Sequence, residues 1–571
     1  MKNLTIKITL SVLIILTSLI YGLPHILLAS RLGANYTPLT VSGQSRIARD
    51  EAFAYAPEVN YILKGNLFLK EVYVAEYKNF PTPFMGESAP ALVFAILSRL
   101  TGSIENAFIA ADFIFPSIVF LLLYIVANMF IKNKLYSAAV AFLTVIARDF
   151  IAVIPFPHET FQYLTSAENQ NYLLYLSRAF HPQLTLIFLS LSLISLIKMI
   201  DKQTLRYASF TGILFGILFY SYVFYWTYFA AFYFAAFAYF LIKKQKDVLK
   251  LLLLSGFIAL LIALPYLNQM RQFYQLSLAS DFLTKASLVN VPLPLTLVRY
   301  FLIAVLFFFV FRKKDQKFKV FVLFLLAGVF IAPVSKLTIG QDLETFHYLR
   351  RALMPFATIA FFCSIYYFLN GKKTLLTLIS LAIISVFTVY GFNTQIIASD
   401  KIQSAHVKDL NREKVFAWLR TNTPKDSVVG SLDADFESLI PTYTQNKVFF
   451  PPSDRTITPA AEGVTRYAIL SGILSVNVDS QKKNLDDIIS YLFIYQSYDT
   501  NRSLDLASSK RIWSEKEIER VSTNWQGELN KFKLDYIVVT PKYRQSINTK
   551  SSLLTKTASF GDYEIYKFRS Q

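Results

Sequence analysis

Cysteine occurs once in this 571-residue chain, as Cys363, and histidine only five times. A lone cysteine excludes an intrachain disulfide framework and any cysteine-based metal centre. Its position inside an apolar stretch reads as packing. There is no glycine-rich phosphate loop, no HExxH and no CxxC pair, so nucleotide-driven transport and metalloprotease chemistry lack their sequence signatures. Charged residues make up only 17% of the chain, too few for an ordinary soluble globule. No internal repeat or low-complexity segment interrupts it.

What the chain has instead is apolar surface. Hydrophobic residues make up 54% and aromatic residues 16%, and the mean hydropathy is +0.41. The apolar residues come in blocks of about 17 to 25, the length that a helix needs to cross the hydrocarbon layer. Spans are expected near 5–29, 105–131, 135–156, 182–200, 207–223, 226–242, 248–267, 292–311, 319–336, 349–369 and 374–395. The first, behind Met1-Lys2-Asn3, is too long for a typical signal core and reads as a retained span. This is a membrane all-α bundle of about eleven helices.

The formal charge of +19 does not point to nucleic acid, because the lysines and arginines sit mainly in alternate short connections between spans. They include Lys132/Lys134, Lys198 to Arg206, Lys243/Lys244/Lys246, Arg312 to Lys319 and Lys372/Lys373. Such clusters face the cytoplasm. One self-consistent topology results, with a cytoplasmic N-terminus and with residues 30–104 and everything after about 396 on the outer side of the cell (cytoplasmic or inner) membrane. The domains read as 1–399, transmembrane, including the outer loop 30–104 with its juxtamembrane helices, and 400–571, extracytoplasmic.

The second of these has the composition of a soluble α/β domain. An amphipathic helix is expected from about His406 to Arg420, with Val407, Leu410, Val415, Phe416 and Leu419 on one face. Strands are expected at Val428-Val429, Lys447 to Phe450, Tyr536 to Thr540 and Asp562 to Phe568, and a polar helix over 514–530. In the membrane part, the crowd Tyr222, Phe224, Tyr225, Trp226 and Tyr228 reads as an aromatic belt at the outer headgroups, with sugar stacking as the alternative.

Charges inside spans are costly and mark function or snorkelling. Asp112, Arg148, Asp149, Arg299, Lys336, Arg350 and Arg351 all fall in the outer halves of their spans and outline an outward polar cavity. A transporter needs polar or broken helix positions near the midplane, and the sequence has little of that. Just after the first span, Arg46-Ile47-Ala48-Arg49-Asp50-Glu51 places two adjacent carboxylates in the first outer loop.

That pair leads into Ala52-Phe53-Ala54-Tyr55-Ala56-Pro57-Glu58-Val59-Asn60-Tyr61 and on to Gly65-Asn66. It is followed by Gly86-Glu87-Ser88-Ala89-Pro90-Ala91-Leu92, Thr101-Gly102-Ser103 and Glu105-Asn106-Ala107-Phe108. A third element is Phe346-His347-Tyr348-Leu349-Arg350-Arg351-Ala352-Leu353-Met354-Pro355. Together these resemble the GT-C superfamily of membrane glycosyltransferases, at the level of the polyprenyl-phosphate-sugar-dependent enzymes such as protein mannosyltransferases and aminoarabinose transferases. The chain departs from the best-known members in having Pro90 without a second proline. It also lacks the Trp-Trp-Asp motif of oligosaccharyltransferases, which argues against protein N-glycosylation.

The resemblance implies transfer of a hexosyl or pentosyl unit from a polyprenyl-phosphate donor to an envelope glycan, lipid or protein. A sugar hydroxyl is a poor nucleophile, so a carboxylate must take its proton; Asp50 is the candidate base, with Glu51 positioning substrate. The departing lipid phosphate calls for guanidinium groups, for which Arg350 and Arg351 are the candidates, backed by Arg178, His181 and Tyr55. In the second outer loop His158 and Glu159 are candidate ligands, with Asp50, for Mn²⁺ or Mg²⁺. Glu168 lies in the same loop. A non-enzymatic lipid-glycan transporter or envelope-assembly scaffold is the reading from a different class.

Overall fold

The computed structural model of the chain describes residues 2–40, 51–166, 173–286, 295–339, 345–451, 455–483, 485, 503–547 and 552–569. Each of the eleven apolar stretches carries a helix. Among the described residues eight are long and apolar enough to cross a membrane: Ile6–Asn35, Ile104–Phe130, Ala179–Lys202, Val223–Ile242, Lys246–Tyr274, Gln316–Leu337, Thr345–Phe368 and Lys373–His406. Lys134–Ile146, Leu205–Leu218 and Thr296–Phe311 are apolar but shorter. The chain is thus a multi-pass membrane protein, with eight spans supported by helix length where the sequence suggests eleven.

One of the short helices has an identifiable stop. The stretch expected over 135–156 leaves the helix after Ile146. Asp149 takes a left-handed φ of 55°, a conformation that helices do not continue through. Its carboxylate is held by Arg299 at 3.1 Å and by the Tyr300 hydroxyl at 3.0 Å.

Contacts gather the chain into two compact units. The first comprises Met1–Pro38, Ile96–Tyr266 and Pro292–His406; the second comprises Leu39–Ala95, Leu267–Val291 and Val407–Gln571.

In the first unit, helices in lipid gain little from burying apolar surface against one another, so close backbone approach decides packing. Gly212 and Gly216, one turn apart on the Leu205–Leu218 helix, allow it. A Cβ at Gly212 would lie 2.8 Å from Ile258 Cβ, and one at Gly216 2.6 Å from Ile262 Cβ. Either alanine forces that pair of helices apart. The aromatic crowd is not a headgroup belt throughout. Tyr222, Tyr225 and Tyr228 are buried, and their hydroxyls bond within the protein, Tyr228 to the Phe324 carbonyl at 2.8 Å.

The second unit is built on a five-stranded sheet of order β2-β1-β3-β5-β4. Its strands are β1 (Val428–Gly430), β2 (Lys447–Val448), β3 (Tyr536–Val539), β4 (Leu554–Phe560) and β5 (Tyr563–Phe568). β1 is parallel to both β2 and β3, while β5 runs antiparallel to β3 and β4. The core joins sheet residues Val428, Ile537 and Val539 to Val464, Ala468 and Ile469 of the Ala460–Ile473 helix. The helix expected from 406 starts at Leu410, because the Asp409 carboxylate caps the N–H groups of Asn411 and Arg412. Val415, Phe416 and Leu419 are buried as expected, but Val407 and Leu410 are exposed.

The loop segment belongs to this unit by specific bonds. The Val448 N–H donates to the Tyr73 carbonyl at 2.9 Å, so the loop borders β2. Glu71 is fully buried. One carboxylate oxygen accepts from the N–H groups of Tyr73 and Val74 at 3.0 and 3.2 Å, the other from the Thr456 hydroxyl and the Ile457 N–H at 3.0 Å each. Burial pushes the Glu71 carboxyl up, while those N–H groups and the Lys447 ammonium pull it back.

Candidate functional site

The first unit concentrates arginine at one place. Arg350 and Arg351 lie on a single π-helical turn, Tyr348–Leu353, that leads into the Met354–Phe368 helix with Pro355 in its first turn. A π-turn leaves carbonyls in need of donors, and two tyrosines supply them. The Tyr175 hydroxyl donates to the Arg350 carbonyl at 2.7 Å and the Tyr225 hydroxyl to that of Arg351 at 2.9 Å. The backbone under both guanidinium groups is therefore fixed.

Aromatic rings orient the side chains. The Arg350 guanidinium lies 5.5 Å from the Phe346 ring centroid, and that of Arg351 5.9 Å from both Tyr222 and Phe346. Arg351 Nη1 donates to the Tyr222 hydroxyl at 2.7 Å, and that hydroxyl is 2.7 Å from His347 Nδ1. His181, buried, stacks on Tyr222 with 4.2 Å between centroids, and its Nδ1 is 3.2 Å from Thr185 Oγ1. The structure thus brings His181 to Arg351 through the Tyr222 ring.

Tyr175 is the hub of the cluster. Arg148 lies over its ring at 5.5 Å, and the charges of Arg351, Arg148 and Arg178 all act on it. Arg148 in turn feels Arg350 and Arg351. Four guanidinium groups therefore share one locality. No salt bridge joins Arg148 or Arg350 to a carboxylate among the described residues, and the acid next in sequence, Asp149, is engaged by Arg299. Arg148 is drawn toward Asp149 and repelled by Arg350 and Arg351, as like charges in one locality repel one another. An external oxyanion bound bidentately removes that repulsion and uses the donors. Sequence reading placed Arg148 among the outer charges but not in the site; its signal was the run Arg148-Asp149 inside an apolar stretch.

A polar network holds the segment that carries Tyr175, Arg178 and His181. His25 Nε2 is 2.8 Å from Asp112 Oδ2, and His25 Nδ1 is 2.5 Å from the Tyr36 hydroxyl. Gln183 Nε2 donates to Asp112 Oδ1 at 2.5 Å and also to the Leu176 carbonyl. Gln395 adds a second clamp, accepting from the Leu174 N–H and donating to Ser177 Oγ, both at 3.2 Å.

The other candidates divide. Asp50 and Glu168 lie outside the described residues. Glu51 opens a π-helical turn, Glu51–Tyr55, and is buried in the second unit. Tyr55, also buried, is a cation–π partner there, with the Arg455 guanidinium 4.6 Å from its ring centroid. Arg455 pairs with Glu87 at 2.8 Å and Glu58 at 3.5 Å, tying together two of the loop's motifs. No local pattern around Arg455 announces this, since its partners lie 368 and 397 residues away.

His158 and Glu159 sit exposed at the start of the short Pro157–Thr165 helix. His158 Nε2 is 3.0 Å from Gln162 Nε2. Among the described residues no group of three or more His, Cys, Asp or Glu side chains could hold a metal ion. The third candidate ligand, Asp50, lies outside the described residues, and no chemical step below is routed through a metal.

No protein-family model and no curated protein matches the chain. It is similar to solved structures of membrane proteins. The oligosaccharyltransferase of Archaeoglobus fulgidus in the apo form aligns at TM-score 0.49 and 12% identity, over 94% of this chain and 70% of that one. ArnT from Cupriavidus metallidurans in the apo state aligns at TM-score 0.47 and 9% identity, over 97% of both chains. The same ArnT bound to undecaprenyl phosphate aligns at TM-score 0.44 and 10% identity, over 96% of this chain and 97% of that one. The arginine cluster, not these likenesses, carries the functional reading.

Proposed function

We propose that the protein is a membrane glycosyltransferase that moves a hexosyl or pentosyl unit from a polyprenyl-phosphate donor to an envelope glycan, lipid or protein on the extracytoplasmic face. One observation carries this reading. A multi-pass membrane chain gathers Arg148, Arg178, Arg350 and Arg351 around Tyr175, with no carboxylate on Arg148 or Arg350 among the described residues. The chemistry that such a cluster serves is an anionic group presented from a membrane, and a lipid phosphate is that group.

An acceptor hydroxyl oxygen bonds to the anomeric carbon as the bond from that carbon to the phosphate oxygen breaks, through an oxocarbenium-like transition state. Asp50 takes the hydroxyl proton. The electron pair leaves on the lipid phosphate, whose growing charge the arginines stabilise. Glu51, with Glu159 in the second outer loop, positions substrate or metal, Tyr55 contributes to substrate binding, and His181 supports Arg351 through Tyr222. In this reading eleven spans, a cytoplasmic N-terminus, a transmembrane domain over 1–399 and an extracytoplasmic domain over 400–571 put the chemistry outside the cell membrane.

The test incubates purified protein with polyprenyl-phosphate sugars and follows release of the lipid phosphate. Asp50→Asn is expected to lower the rate by about 10²- to 10⁴-fold with lipid binding kept. Unchanged transfer in that variant removes Asp50 as the base. Binding of every donor without release favours a lipid-glycan transporter or scaffold instead.

A further inference from the structure

The second unit holds a cavity of about 250 Å³ with an unusual lining: Lys64, Lys70, Lys78, Lys425 and Lys447 against a single acid, Asp426. These cations are close enough to act on one another, since Lys64 feels Lys447 and Lys425, and Lys447 feels Lys78 and Lys425. Protein groups use only part of their capacity. Lys447, buried, donates to the carbonyls of Glu71 and Val72 at 3.0 and 2.7 Å, and Lys64 to that of Thr444 at 2.7 Å. Lys78 reaches Asp426 at 3.5 Å. Lys70 and Lys425 have no ion pair among the described residues.

Neutral groups of the lining add a second kind of recognition. Asn446 is 2% exposed. Its Nδ2 donates to Thr423 Oγ1 at 2.7 Å, while its buried Oδ1 has no hydrogen-bond partner among the described residues. Tyr61 contributes a ring, and Asn66, Asn79 and Gln445 further amides. Asp426, at the lining, adopts a left-handed φ of 61°, which non-glycine residues seldom do.

We infer that this cavity binds a phosphate-bearing sugar unit, the lysines taking the phosphate and the amides of Asn66, Asn79 and Gln445 taking hydroxyls. A phosphomonoester carries about −1.5 to −2 at neutral pH, which answers a five-to-one excess of lysine over acid better than a single carboxylate does. The site is separate from the arginine cluster and does not depend on the transfer reaction.

Calorimetric titration of the full chain in detergent tests it, with glucose 6-phosphate, glucose, glucuronate and inorganic phosphate as probes. Glucose 6-phosphate is expected to bind at least tenfold more tightly than the other three. Lys70→Gln with Lys425→Gln, both exposed, is expected to weaken that binding tenfold or more with an unchanged melting temperature, and Arg350→Ala to leave it intact. Equal binding of inorganic phosphate overturns the sugar component, and equal binding of glucuronate overturns the phosphate preference. No binding of glucose 6-phosphate, or wild-type affinity in the lysine double variant, overturns the site. Loss of binding in Arg350→Ala alone would move it to the arginine cluster.

Discussion

Arginine does opposite work in the two units. In the second unit Arg466 is fully buried and meets Glu462 at 2.7 Å and Glu76 at 3.1 Å. It also donates to the Phe449 carbonyl at 3.2 Å and lies 4.2 Å from the Phe532 ring centroid. Arg455 is likewise matched by Glu87 and Glu58. In the first unit Arg148 and Arg350 have rings around them but no carboxylate among the described residues. Where the counter-charge is built into the protein, a guanidinium holds the fold. Where no carboxylate pairs with it directly, the proposed function gives the guanidinium an external anion to hold, and its loss should then cost function rather than stability.

That contrast can be broken at its strongest point first. Arg466→Met leaves Glu462 and Glu76 facing an apolar side chain. Breaking a buried pair from one side costs about 3–5 kcal/mol, so the second unit should melt many degrees lower in differential scanning calorimetry. A melting temperature within a degree of wild type would remove Arg466 from the structural class.

The opposite pattern is expected in the first unit. Arg148→Ala with Arg350→Ala should leave the melting temperature unchanged or raise it, because like-charge repulsion is relieved. Transfer should fall by about 10²- to 10³-fold, the loss typical of removing groups that stabilise developing charge. A melting temperature that drops as far as in Arg466→Met, with residual transfer unimpaired, would erase the distinction between the units.

The finest test uses pH. Burial, with Lys78 and Lys425 nearby, lowers the Lys447 ammonium to about 8 from its ordinary 10.5, against the pull of Glu71 and Asp426. In the unfolded chain Lys447 keeps its proton up to the ordinary value, so between about pH 8 and 10.5 the unfolded state binds more protons. This group's contribution to stability therefore rises with pH across that window, by at most about 1.4 kcal/mol per unit. Lys447→Met should flatten this part of the calorimetric stability-versus-pH curve. An identical curve in wild type and variant would show that Lys447 does not titrate there.

How much of this could be read in the sequence depended on the range of the interaction. Every apolar stretch became a helix because hydropathy acts locally. Strands at Val428, Lys447, Tyr536 and Tyr563 followed from short β-branched and aromatic runs. β4 was missed although its signal was local: Gly561-Asp562 joins it to β5 as a two-residue turn, with Gly561 at a φ of 57°. Its polar run Thr555-Lys556-Thr557, with Ser559, hid it. The arginines before the Met354–Phe368 helix stood out as charges beside an apolar run. Their assembly with Arg148 and Arg178 did not, because Tyr175 gathers them across separations such as the 175 residues to Arg350. Glu71, Arg455 and the lysine cavity were equally silent, since each is completed by residues far along the chain.

The clasp on Glu71 also sets a timetable. Its carboxylate emerges from the ribosome early, whereas Thr456 and Ile457 lie 385 and 386 residues later. At about 5–20 residues per second of synthesis, the loop waits on the order of 20 to 80 seconds for the groups that bury it. During that interval Glu71 is an ordinary hydrated carboxylate, and the loop cannot take its final shape until the last third of the chain is made. A nascent chain truncated before residue 447 should therefore expose the 51–95 segment to protease while the membrane helices on either side of it are already inserted.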